Sequence, residues 1–172
     1  MTSQQDVEQL KEILSAEEIP HALVLSGFAE VSDAVKDRLV EQAAQTFEPP
    51  LPGKLVARLI YLLTESNRAN LQRVFVNNLR SPDPEARKAS LYGLEKLEHS
   101  ALVDFALHAL RDDADQMLAP ACDILLRQAA HDPVVRKLLR SFYQAYKDKP
   151  EYYSVRTLLE AHGIDREPLD GN

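Results

Sequence analysis

Three prolines, Pro20, Pro52 and Pro84, stand 32 residues apart, and each opens an apolar stretch of helical periodicity. A fixed period of roughly 20 to 50 residues is the mark of a stacked-repeat architecture, in which each unit is too small to bury its own apolar face. With units starting at residues 20, 52, 84 and 116, both halves of every unit align. In the first half Leu25, Ala57, Ala89 and Ala121 share a column. Phe28, Ile60, Tyr92 and Ile124 share another, and Glu30, Leu62, Leu94 and Leu126 a third. In the second half the columns are Leu39, Leu71, Val103, Val135; then Gln42, Val74, Ala106, Leu138; then Ala43, Phe75, Leu107, Leu139. These last three are spaced i, i+3, i+4, one face of a helix.

The punctuation agrees with paired helices. Proline suits a first helical turn, where its missing N–H is not needed. Ser32, Ser66, Ser100 and Asp132 precede the second helices as N-caps, with Pro133 behind Asp132. The fourth unit is degenerate: Gln116 stands where the proline should be, and Pro120 inside its first helix predicts a kink. The expected pairs are 19–30 with 33–47, 53–65 with 67–80, 84–98 with 101–111, and 115–130 with 133–148. Helices near 4–15 and 152–162 cap the two ends. The fold class is therefore all-α, a right-handed α-solenoid of about four two-helix repeats, filling a single domain over 1–164. A flexible tail over 165–172 is expected to follow it.

Residues 79–97, LRSPDPEARKASLYGLEKL, resemble a HEAT repeat. The resemblance rests on Leu79, the Asp83-Pro84 turn, the Ala86-Arg87 pair, Ala89, and Leu91 through Leu97. The short period is similar to the compact HEAT-like repeats of phycobilisome lyases. Arg87 is matched by Leu55 and Ala119 in the neighbouring units, so the Asp–Arg ladder of some HEAT arrays is broken. The resemblance implies a scaffold for binding other proteins and carries no activity with it.

Charge and cysteine usage narrow the function classes. Net charge is −7, with −7 over residues 1–50, +3 over 51–111 and −3 over 112–172. An acidic chain without clustered cations argues against nucleic acid as a partner. The one cysteine, Cys122, cannot form an intrachain disulfide and is read as a buried thiol. The N-terminus is polar and lacks an apolar signal region, and no apolar run is long enough to span a bilayer. The cytoplasm is the expected compartment.

The sequence holds no phosphate loop, zinc-helix motif or nucleophile elbow. His99 and His131 share a column, but no acid or cysteine completes a metal set beside them. Asp112, Asp113 and Asp115 lack calcium-loop spacing and read as a helix cap. No catalytic residue, metal or cofactor is therefore expected. What remains is the side of each second helix turned away from the core: Arg73, Val76 and Arg80; Phe105 and His108; Lys137 and Arg140. Glu41, Ala44 and Glu48 hold the same rows in the first unit, and Asp112 and Gln144 complete the third and fourth. Stacked, they form a concave groove with an apolar centre and cationic flanks, suited to an acidic peptide with a hydrophobic anchor. Phe105 is alternatively a core residue and the cations a solvated face. The leading expectation is a non-catalytic protein-interaction scaffold. The rival is a ligand-handling or enzymatic relative, a chromophore lyase before a DNA glycosylase, since a DNA-acting groove needs basic and stacking residues.

Overall fold

The architecture comes from a computed structural model, which describes residues 4–45, 51–111 and 115–166. Among the described residues there are ten α-helices and no strand. They are α1 (Gln4–Ser15), α2 (His21–Ala29), α3 (Asp33–Gln45), α4 (Gly53–Leu59), α5 (Arg68–Asn78), α6 (Pro84–Lys96), α7 (Leu102–Arg111), α8 (Asp115–Ala129), α9 (Pro133–Tyr146) and α10 (Tyr153–Ala161). Short 3-10 turns extend α4 (Ile60–Leu62) and lead into α5 (Glu65–Asn67) and α10 (Pro150–Tyr152). Every expected helix is present. The chain divides into two compact units, Met1–His99 and Ser100–Asn172. Of the expected tail, residues 167–172 lie outside the described residues, as do Glu48, Asp112 and Asp113.

In the first unit, helices one period apart lie side by side. α4 packs on α6, and α3 packs on α5, while α5 also packs on α6. The place beside α3 and α4 is taken by α1, not by α2. This corrects the expected first pair, and the physical reason is visible in the two helices. α1 buries Val7, Leu10 and Leu14 along one face and leaves the rest polar. α2, HALVLSGFA, is apolar all round, buries only Val24 and Phe28, and packs against no other described helix as broadly. A helix docks by the contrast between its faces, which α1 has and α2 lacks.

Two devices lock this row. Asp83 caps α6, its Oδ1 accepting the Glu85 N–H at 2.9 Å, while its Oδ2 accepts the Gly53 N–H at 2.8 Å. One carboxylate thus closes the N-termini of α4 and α6 together, where the helix dipoles favour negative charge. A Cβ on Gly53 would stand 2.8 Å from Glu85 Cβ and 2.9 Å from the Ala86 nitrogen, so the close approach requires glycine there. At the other end, the buried Arg58 of α4 donates to the carbonyls of Ile13 (3.2 Å), Leu14 (2.8 Å), Ala16 (3.0 Å) and Ile19 (2.8 Å). It caps the C-terminus of α1, where a cation meets the negative end of the dipole.

The periodic prolines divide in their roles. Pro84 and Pro133 are the first residues of α6 and α9, behind the capping aspartates Asp83 and Asp132. Pro20 and Pro52 stand one residue earlier, and their carbonyls accept the N–H groups of Val24 and Val56. Ser66 and Ser100 do not cap as expected: Ser66 donates to Asp37 on α3 at 2.6 Å, and α7 starts two residues after Ser100. α8 continues through Pro120.

In the second unit α8 is central, packed by α7, α9 and α10, and α10 also packs on α9. Ala121, Cys122, Ile124 and Leu125 of α8 are fully buried, with Val135, Leu139 and Phe142 of α9 and Val155 and Leu159 of α10. Phe142 stacks on Tyr146 with centroids 4.5 Å apart, and Tyr152 meets both rings at 5.4 and 4.7 Å. This cluster seats the turn into α10.

Candidate functional site

The columns read as core are buried in most units. Leu39, Ala43, Leu71, Val74, Phe75, Ala106, Val135 and Leu139 are all enclosed. Val103 and Leu107, expected in the same columns, are half-buried instead, because α7 turns Leu102, Ala106, Ala109 and Leu110 inward; Gln42 is half-buried too, and Leu138 is 38% exposed. α9 packs on α8 and α10, and Leu138 with Val134, 65% exposed and one turn before it, forms an exposed apolar pair on α9. Exposure in the expected outward rows is mixed. Arg73 on α5 and Arg80 in the turn after it are exposed, and Val76 between them is half-buried. On α7 His108 is exposed and Phe105 half-buried; on α9 Lys137 is exposed and Arg140 half-buried. Ala44, expected to face outward, is buried, because Val40, Ala43 and Ala44 together form the packed side of α3. Arg73, Val76 and Arg80 belong to the first unit; Phe105, His108, Lys137 and Arg140 belong to the second.

A cation's availability depends on what already holds it. In the first unit most cations are engaged within the chain. Arg58 holds four carbonyls; Arg68 donates to Leu97 O at 2.5 Å, Arg87 to Ser81 O at 2.6 Å, and Lys54 to Glu17 O at 2.9 Å. Lys36 and Lys88 pair with Asp33 and Glu85. Arg73 and Arg80 have no such partner among the described residues, and apart from Lys11 on α1 they are alone in this. In the second unit, among the described residues, Lys137 has no such partner either, and the Nε and Nη1 of Arg140 are enclosed without a hydrogen-bond acceptor.

No chemistry gathers elsewhere. Among the described residues no three His, Cys, Asp or Glu side chains meet as a metal would require. Cys122 is fully buried; burial, then the charge of Asp123, pushes its thiol up to about 12, so it carries no thiolate near neutrality. Asp37 accepts hydrogen bonds from Ser66 and Thr64; burial pushes its carboxyl up, but bonds from Ser66, Thr64 and Asn67 outweigh it and hold it below its ordinary value. Tyr143 donates to Glu160 at 2.9 Å, and that bond raises its phenol. Both are links between helices. No described helix is long and apolar enough to cross a membrane.

Sequence reasoning missed a cavity of about 610 Å³ in the first unit, on the side of α4 and α6. Ala57, Ile60 and Ala89 supply its apolar lining. His21, Tyr61 and Tyr92 supply rings, and Glu85, Lys88, Glu95 and Lys96 supply charge. Its sequence signal is the recurrence of small residues in the column of Ala57 and Ala89, which leaves room between neighbouring first helices. No family model, curated protein or solved structure matches the chain.

Proposed function

We propose that the chain is a HEAT-like α-solenoid acting as a non-catalytic interaction scaffold, and that it binds an acidic peptide segment with a hydrophobic anchor along its second helices. The observation that carries this reading is the division of the cations. Arg58, Arg68, Arg87, Lys36, Lys54 and Lys88 hold carbonyls and carboxylates of the chain itself, whereas Arg73 on α5 and Arg80 just past its end are exposed and, among the described residues, unengaged. Arg73 lies on α5 and Arg80 in the turn just past its end, with half-buried Val76 between them in sequence. Cations that serve no fold contact are the ones a partner's carboxylates can use without loss of stability. The side-by-side packing of α4 with α6 and of α3 with α5 supports the solenoid part of the proposal.

The test is capture of partners from the native source, identified by mass spectrometry, with the wild-type chain and with Arg73→Glu/Arg80→Glu. The double variant is expected to lose its acidic partners while its melting temperature stays unchanged. An unchanged partner set would remove the reading. So would Phe105→Ala or Arg140→Ala variants that lose stability while binding is kept.

A further inference from the structure

The cavity beside α4 and α6 lies apart from the cations of that proposal and carries a second inference. Its central ring, Tyr61, is 49% exposed although aromatic side chains gain most by burial. The exposed face is not empty: Lys96 of α6 places its Nζ 5.2 Å from the ring centroid. His21 meets the same ring edge-on at 5.1 Å, which fixes its orientation. The quadrupole of a tyrosine face attracts cations, and the chain already seats one of its own there.

We propose that this cavity binds a small organic ammonium ion, with Lys96 as an internal occupant that the ligand displaces. The volume, about 610 Å³, falls in the range of small-molecule sites. The lining from Ala57, Ile60 and Ala89 suits an apolar body attached to the charge. The charged groups of the lining balance, two carboxylates against two ammonium groups with Lys88 3.8 Å from Glu85, so it is the ring face under Lys96 that selects a cation. Lys96 itself is exposed, so it moves into water at little cost when a ligand takes its place.

Choline is the probe, titrated into the full chain and followed by the ring resonances of Tyr61 in NMR. Saturable shifts with a millimolar Kd are expected. Lys96→Ala removes the internal competitor and should tighten binding by about threefold, the scale of an exposed cation–π contact. Tyr61→Phe keeps the ring face and should bind as the wild type does; Tyr61→Leu should not bind, with both variants folded by circular dichroism. Three results overturn the proposal. The first is equal binding of choline's uncharged tert-butyl analogue, which makes the cavity merely apolar. The second is saturable binding of inorganic phosphate that Lys96→Ala weakens, which makes it an anion site. The third is the absence of a saturable choline shift in Lys96→Ala at tens of millimolar.

Discussion

Replacing Arg58 by methionine should be the most damaging single change on the surface of α4 that faces α1. The side chain is 3% exposed, and its guanidinium serves the carbonyls of Ile13, Leu14, Ala16 and Ile19. Methionine keeps most of the apolar stem and removes every donor. Hydrogen bonds from a charged donor contribute about 1.5–3 kcal/mol each, but the four cannot be summed at that value. Only the bond to Leu14 O is fully buried; the other three carbonyls are partly open, and water can reach them once the arginine is gone. The variant also regains the cost of desolvating a guanidinium, which opposes the loss. One fully orphaned carbonyl at about 1–3 kcal/mol, plus a lost cation at a helix C-terminus at about 0.5–1 kcal/mol, sums to about 1.5–4 kcal/mol, and the regained desolvation brings the net destabilisation to about 1–3 kcal/mol.

Urea unfolding measures the total, and amide hydrogen exchange locates it. Protection should fall first in α1, because Arg58 is the polar tie between that helix and α4. Arg58→Lys is the informative companion. It keeps the charge but presents a compact ammonium in place of a fork that reaches four acceptors, so it should recover less than half of the loss. A Met variant within about 0.5 kcal/mol of wild type, the ordinary range for surface substitutions, with α1 protection intact, would refute the reasoning. It would mean that apolar contacts of Val7, Leu10 and Leu14 alone hold α1 in the row.

Two further outcomes follow from local geometry. Gly53→Ala should lower the melting temperature, because its Cβ would meet the Ala86 nitrogen at 2.9 Å and Glu85 Cβ at 2.8 Å, whereas Gly27→Ala, with nothing within 4 Å, should raise it; shifts of the same sign would contradict the packing of α4 on α6. Asp37→Asn should reveal a pH dependence: the folded carboxyl is held low, so its contribution is complete above the unfolded value of about 3.9 and is lost as pH falls through the folded value. The urea midpoints of wild type and variant should therefore differ by a constant amount near neutrality and converge in acid, and a gap that persists into strong acid would show that Asp37 acts by packing alone.

The helices were legible because three independent signals coincided in the sequence. The apolar columns, the prolines and the capping aspartate before Pro133 all mark the same starts, and α6 and α9 begin at their prolines. What was not legible depends on contacts distant in sequence. Ser66 has the residue type of an N-cap, yet Asp37 on α3 takes its hydroxyl. Asp83 looked like turn punctuation for one helix and caps two, because Gly53 lets α4 come close enough. Leu138 matched its column in character but not in environment, since the last second helix has no further neighbour of its kind to cover that column. Of the groove rows, Arg73, Arg80, His108 and Lys137 are exposed as the period places them, while Val76, Phe105 and Arg140 are half-buried and Ala44 is enclosed. The cavity was not, because its rings come from α2, the turn after α4, and α6, in no common column.

The failure of the period at α2 and the presence of the cavity are one event. The proline at 20 promised a first helix that would stack on α4 as α4 stacks on α6. α1 takes that place instead, held by Arg58, and α2 is released from the packing role its sequence position implied. It buries Val24 and Phe28 and leaves Leu23 63% exposed. Its first residue, His21, then lies against Tyr61 and closes the cavity on one side. A helix packed in register would have put apolar side chains into that space, as the small residues of the Ala57 and Ala89 column allow. Departures from a chain's own local rule are the places where function is to be sought. Here the departure leaves α2 without a broad helix contact, and it leaves a half-exposed aromatic ring with a cation already upon it.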